Sequence, residues 1–208
     1  MRLYYCAFSL LCLSAAVLTP TRAIAEPSIV VSVPDQTLAV VDGGVVRERY
    51  KVSTSKFGLG DNANSYATPL GSLEVASKIG GNAPMGTVFK SRRPTGEILK
   101  PNAPGRDPIV TRILWLRGLE RGNARAYSRG IYIHGTPVEN LIGKPVSYGC
   151  IRMRSNDVTR LFDTVRVGTK IEISNSGLAG GIAQAALKQQ SRGIRVAAQT
   201  HGTRVVAN

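Results

Sequence analysis

Short apolar and β-branched runs broken by turn residues recur along this chain. Ser28 to Thr54 reads as successive strands. Ile29-Val30-Val31-Ser32-Val33 is β-branched, Pro34-Asp35-Gln36 is a turn, and Thr37 to Val41 meets Val45 to Tyr50 across Asp42-Gly43-Gly44, a hairpin signal. A loop rich in Gly, Asn and Ser begins at Ser55 and ends in Thr68-Pro69-Leu70-Gly71, after which Ser72 to Ala76 resumes the strand pattern. Ile109 to Leu116 and Gly130 to His134 read as further strands. In the second of these, Tyr132 and His134 fall on the face opposite Ile131 and Ile133.

Past Cys150 the period becomes helical. Ser155 stands as an N-cap, and Asp157 lies in the first turn, where the helix dipole favours a negative charge. Val158, Leu161, Phe162 and Val165 follow at i, i+3, i+4 and i+7. Val167 to Ile173 then reads as a turn and a closing strand. The pattern predicts a mainly β domain with one short helix after the cysteine, its apolar stripe packed under the strands.

Two stretches lack such a pattern. Between Lys78 and Pro108, Gly and Pro recur and only Val88-Phe89 and Ile98-Leu99 are apolar anchors, which predicts a long loop lining a site. From Ser176 onward there is no acidic residue, while Lys188, Arg192, Arg195 and Arg204 are basic. A helix over 179–190 is conceivable, but Gly177, Gly180, Gly181 and Gly193 argue against a packed element, so 176–208 is read as a basic, mobile tail.

The first 25 residues form a secretory signal: Arg2, an apolar run from about Ala7 to Leu18, and Ala23-Ile24-Ala25 before Glu26. That run is shorter than the roughly 20 residues a membrane span needs. A lipoprotein signal fits less well, because Leu11 precedes Cys12 where a small residue would be expected. The organisation expected is a signal peptide over 1–25, one domain over 26–175 and the tail, with no transmembrane segment after cleavage in the periplasm.

Composition changes this picture in two ways. The leader holds two arginines and no acid, so the remainder carries 25 basic against 13 acidic residues, a formal charge of +12. Such an excess favours polyanions, and for an exported protein envelope carboxylates and phosphates are more natural partners than nucleic acid. Simple solubility is the competing reading. Cys6 and Cys12 depart with the leader, leaving Cys150 alone. Exported proteins use cysteines in pairs, so a single one suggests intermolecular pairing or a working thiol, with an inert buried side chain as the competing reading.

His134 stands sixteen residues before Cys150, enough for a strand end, a turn near Gly143 to Pro145 and a return. A thiol attacks as the thiolate, and an imidazole can take its proton. Gly149 would let the backbone adopt an angle closed to side chains, and the N–H groups of Tyr148, Gly149 and Cys150 are candidates to hold a developing oxyanion. A backbone carbonyl near Gly135 would orient the imidazole, and Arg152, on the face of Cys150, could hold a substrate carboxylate.

The run His134-Gly135-Thr136-Pro137, then Ser147-Tyr148-Gly149-Cys150-Ile151-Arg152-Met153, with Asp157-Val158, Leu161 and the ending VGTKIEI, resembles the catalytic domain of the L,D-transpeptidases, the YkuD-like family. The likeness extends over roughly Ser28 to Ser174 and includes the ATPLG turn. It implies an L,D-transpeptidase-like β-sandwich or barrel with Cys150 as nucleophile and His134 as base. Ser147 would brace the loop, Thr136 and Arg152 would contact substrate, and no metal or organic cofactor would be needed. The implied substrate is a peptidoglycan tetrapeptide stem, attacked at its third residue with release of D-alanine and joined to a second stem by a 3→3 cross-link. Carbapenems would acylate the same thiol. Tyr148 stands where many relatives have histidine. Hydrolysis of the thioester, transfer to an outer-membrane protein amine, and a non-catalytic wall-binding role are the rival readings.

Overall fold

The computed structural model describes residues 26–202, so the expected leader and the last six residues lie outside it. Ten strands and two α-helices follow in the order β1 (Ser28–Ser32), β2 (Thr37–Asp42), β3 (Val45–Lys51), β4 (Gly71–Ile79), β5 (Thr87–Lys90), β6 (Arg93–Ile98), β7 (Ile109–Gly118), β8 (Tyr132–Gly135), β9 (Ile151–Met153), α1 (Ser155–Thr164), β10 (Lys170–Ser174) and α2 (Leu178–Gly202). The mainly β expectation holds, with one helix more than the pattern predicts.

The strands form one mixed sheet in the order β3-β2-β1-β10-β4-β7, with β8 continuing from β7 and β9 from β8. Reciprocal hydrogen bonds of 2.9 Å between Ser53 and Arg152 join the chain just after β3 to β9. That bridge closes the sheet into a ring. Inside it Ile29, Val31, Leu38, Val40, Leu73, Val75, Leu114, Leu116, Ile133, Ile151, Met153, Ile171 and Ile173 pack around one core. Helix α1 adds Val158, Leu161 and Phe162, the stripe read from the sequence, with Val165 just beyond its end.

Ser155 is not the N-cap of α1. Arg154 holds that position, and the helix start is satisfied from outside, the Ser155 N–H donating to Glu139 Oε1 at 2.7 Å. A carboxylate there meets the positive end of the helix dipole as a cap side chain would. Asp157 occupies the first turn as expected.

The stretch 78–108, expected as one long loop, is interrupted by strand at its start and over most of 87–98. β4 runs on to Ile79, and β5 and β6 form a hairpin that branches from β7. Its turn places Ser91 and Arg92 at φ 50° and 66°, the left-handed geometry that suits a two-residue hairpin turn but is usually given to Asn or Gly. β6 is almost wholly exposed, so it needs no apolar face and shows no alternation. Phe89 of β5 nevertheless packs with Ile113 and Tyr132 on the outer face of the ring.

The expected unpacked tail is also corrected. Over the first half of α2, Leu178, Ile182 and Ala185 cover Val30, Ala39 and Val41 on the outer side of β1 and β2. One of the glycines read as breakers allows this approach: a Cβ on Gly181 would lie 3.0 Å from Val30 Cγ1. Asp35 Oδ2 accepts the Leu178 N–H at 2.7 Å and so starts the helix. Lys188 reaches Glu172 at 2.7 Å and Glu120 at 2.9 Å. Glu172 is 4% exposed, and its other oxygen accepts Ser72 Oγ at 2.8 Å. No helix among the described residues is long and apolar enough to cross a membrane.

Because Glu172 is buried, removing its cation leaves an uncompensated charge. Lys188→Ala is expected to lower stability by about 2 kcal/mol, and Glu172→Gln in the same chain to recover part of it, as read from urea unfolding midpoints.

Candidate active site

The site is built on the parallel pair β8 and β9. Ile133 pairs with Ile151, His134 with Arg152 and Gly135 with Met153. Ile133, Ile151 and Met153 point into the ring core, so residues one step away in each strand point outward. Cys150 immediately precedes Ile151 and therefore shares the outer face with Tyr132, His134 and Arg152. From ordinary strand spacing and rise, His134 and Cys150 are diagonal neighbours with Cα atoms about 8 Å apart, a gap their side chains can bridge.

The imidazole is fixed by its own strand. His134 is 4% exposed, and its Nδ1 lies 2.8 Å from the carbonyl of Gly135. A carbonyl can only accept, so Nδ1 carries the proton and Nε2 of the neutral ring is left as the acceptor. Burial is the main cause that pulls the His134 pKa down to about 4, with the Arg152 charge adding to it; the Gly135 bond and Asp107 oppose it. Near neutral pH the ring is therefore uncharged and able to take a proton.

Gly135 is required here by space. A Cβ would lie 2.6 Å from the carbonyl of Val110 on β7. The β7–β8 register shifts between Val110 and Ile113, and Thr111 in that bulge sits at φ 72°, a costly angle for a β-branched residue. Its hydroxyl holds it there, donating to Ser155 Oγ at 2.8 Å and accepting the Gly86 N–H at 3.0 Å. The bulge thus presses β7 against the strand end that carries His134.

Cys150 is half-buried and free of any disulfide. Its Sγ donates to the carbonyl of Gly130 at 3.4 Å, a contact open only to the protonated thiol. Burial pushes the thiol pKa up, against the opposing pull of a backbone hydrogen bond from Tyr132 and of the Arg152 and Arg129 charges. The resting pair is consequently thiol and neutral imidazole, not thiolate and imidazolium.

The loop ahead of the sulfur is pinned from several sides. Ser147 Oγ donates to the Cys150 carbonyl at 2.6 Å and accepts the Gly149 N–H at 3.2 Å, while the Ser147 N–H donates to Thr54 O at 2.9 Å. Thr68, from the ATPLG turn, donates to Gly149 O at 3.0 Å. Gly149 sits at φ 113°, with Ala67 O and Ile131 Cδ1 each 3.2 Å from where a Cβ would be. Of the three N–H groups offered for an oxyanion, that of Gly149 is thus taken, whereas those of Tyr148 and Cys150 have no acceptor among the described residues.

Arg152 and Thr136, expected to contact substrate, both meet Asp107. Arg152 Nη1 pairs with Asp107 Oδ2 at 2.6 Å, its side chain 12% exposed, and Thr136, 1% exposed, donates to Asp107 Oδ1 at 2.5 Å. The structure places both in a cluster around Asp107, and their contact with substrate stays an expectation. Asp107 escaped the sequence reading because it ends the stretch taken as a loop, and nothing local ties it to a residue 45 positions away. Among the described residues no group of three or more His, Cys, Asp and Glu could hold a metal ion.

Comparison with known proteins adds a family. A family model described as the L,D-transpeptidase catalytic domain, YkuD, matches residues 26–173. The putative L,D-transpeptidase YqjB of Bacillus subtilis is 51% identical over 43 residues, 21% of this chain and 24% of that protein. The probable L,D-transpeptidase YcfS of Escherichia coli is 37% identical over 78 residues, 37% of this chain and 19% of that protein. The matches thus span less than a quarter of the length of either relative. An L,D-transpeptidase structure from Mycobacterium smegmatis aligns at 22% identity with a TM-score of 0.45, covering 72% of this chain and 59% of that one. Since the matched residues run from before the first strand into the closing strand β10 and hold both His134 and Cys150, the chain belongs to the YkuD family of L,D-transpeptidase catalytic domains.

Proposed function

We propose that this protein is an exported L,D-transpeptidase that forms 3→3 cross-links in peptidoglycan, with residues 1–25 removed on passage to the periplasm. The observation that carries the reading is the β8–β9 register, which gives the thiol and a buried, correctly protonated imidazole a common face.

The reaction follows from those atoms. Cys150 Sγ attacks the carbonyl carbon of the third stem residue while His134 Nε2 takes the thiol proton, so the charge that develops is borne by the carbonyl oxygen. The N–H groups of Tyr148 and Cys150 receive it. Collapse breaks the bond to the terminal D-alanine, whose amine leaves with the proton from His134, and a thioester remains. An amine from a second stem then attacks the thioester, gives its proton through His134 to the departing sulfur, and restores the thiol. The chemistry needs no metal or organic cofactor.

The pair need not be ionised at rest. Proton transfer and attack are coupled, because burial disfavours both the thiolate and the imidazolium until the substrate carbonyl is present to take the charge. Asp107 and Arg152 neutralise one another beside the imidazole, so no net charge disturbs it.

The test is product analysis. Purified tetrapeptide fragments are expected to give dimers and free D-alanine; tripeptide alone would indicate hydrolysis, and transfer to a lysine-bearing outer-membrane protein would indicate an anchoring enzyme. Cys150→Ala is expected to abolish every acyl-transfer product, and a carbapenem to add its mass to the wild type but not to the variant. The pH dependence has a definite sign. Since the His134 pKa is lowered to about 4, its acceptor form survives as pH falls through 6.5, and the acid limb of Cys150 acylation is expected near pH 4. An acid limb near 6.5 would contradict the buried, neutral imidazole.

A further inference from the structure

Three aromatic rings from distant parts of the chain meet next to the Cys150 loop. Phe57, Tyr66 and Tyr148 have centroids 5.2–5.5 Å apart, and they are 51%, 57% and 53% exposed. A contiguous apolar patch left in water marks a surface that a ligand covers. The rings meet at 43°, 52° and 87°, so they make a faceted floor with no two faces parallel. Lys56 Nζ lies 4.7 Å from the Tyr148 ring and donates to its hydroxyl at 3.2 Å, fixing one edge of that floor.

On the other side, a cleft of about 630 Å³ starts at Tyr66 and Tyr148 and runs to Gly130, whose carbonyl holds the sulfur. Asn64, Arg125 and Ser128 supply its polar wall. An aromatic floor beside a hydrogen-bonding wall suits a ligand with C–H faces and hydroxyl or amide edges. A pyranose has both, its axial C–H groups meeting the negative face of a ring. A stack of flat bases would need parallel platforms instead.

Reach agrees with this. The carbonyl attacked in the proposed reaction belongs to the third stem residue, so three residues and a lactyl group separate it from the sugar that bears the stem, about 14 Å of extended chain. Tyr148 is two residues from Cys150, so their Cα atoms are at most about 7.6 Å apart, and the rings of Phe57 and Tyr66 lie 5.2 and 5.5 Å from that of Tyr148, centroid to centroid.

We propose that Phe57, Tyr66 and Tyr148 form a glycan subsite that stacks an N-acetylated hexosamine of the strand from which the donor stem branches; the donor role rests on the acyl-transfer reading above. The subsite holds the sugar while the cleft leads its peptide to the thiol. It selects a stem that is still attached to its glycan over a free peptide.

The experiment compares one tetrapeptide in two forms, free and attached to its N-acetylhexosamine disaccharide, by the rate of D-alanine release. A β-1,4-linked N-acetylglucosamine tetramer is titrated separately by ligand-observed NMR. Wild type is expected to favour the disaccharide form by about tenfold in kcat/KM. Phe57→Ala and Tyr66→Ala should erase most of that preference and lose the tetramer that Cys150→Ala still binds, and Phe57→Ala, which lies outside the cleft wall, should leave the free peptide within about twofold. Equal use of both forms by wild type, or an equal fall for both in Phe57→Ala, would overturn the subsite, the second result assigning the patch to peptide. Absence of saturable tetramer binding would overturn it too. Tetramer binding that depends on Phe57 and Tyr66, with no D-alanine released from either form, would support the sugar site and refute the acyl-transfer reading.

Discussion

The site depends on one constraint: Ile133, Ile151 and Met153 must all point into the ring. A slip of one residue in β9 would turn Ile151 and Met153 to the outside and drive Cys150 and Arg152 into the core. Losing burial of those two apolar side chains alone would cost about 4 kcal/mol, before the penalty of burying a guanidinium away from its carboxylate. Core packing therefore fixes which face carries the chemistry. The pair proposed for catalysis needs no mutual hydrogen bond at rest, because the register puts the two side chains on one face.

Much of this arrangement was legible in the chain. The Tyr132/His134 face, the hairpin at Gly43-Gly44 and the stripe of α1 all follow from local periodicity, and the HGTP and SYGCIRM runs point to the family. What escaped depended on partners remote in sequence. Arg152 read as a free cation because Asp107 lay in a stretch without periodicity. Ser155 read as a cap because Glu139, which satisfies the helix start, belongs to another segment. The glycines around 180 counted against a helix when only propensity was weighed, but close packing on Val30 makes Gly181 useful. One signal for α2 was present: Ile29-Val30-Val31 and Leu38-Ala39-Val40-Val41 are apolar on both faces, which implies that something covers the outer side.

Burial shapes the electrostatics in one direction. It lowers the His134 pKa and raises that of Cys150, so both groups favour their uncharged forms. Charges near them are balanced locally: Arg152 by Asp107, and Arg129 by Asp61 at 2.7 Å. Arg129 also holds the segment beside the cysteine loop, its Nη2 donating to Ser65 O and to Ala67 O, which lies next to Gly149. The fold thus keeps a reactive group electrically quiet and mechanically firm.

Ring closure at Ser53 and Arg152 has a consequence for when that reactivity arises. The two residues are 99 positions apart, and the bridge between them falls two residues from the sulfur. Contacts of such long sequence separation are slow to form, because the loop entropy is lost before the pairing rewards it. In a chain whose first hairpin and cysteine strand are not yet joined, Cys150 and His134 have no common face. Their pairing is in this sense a property of the finished topology.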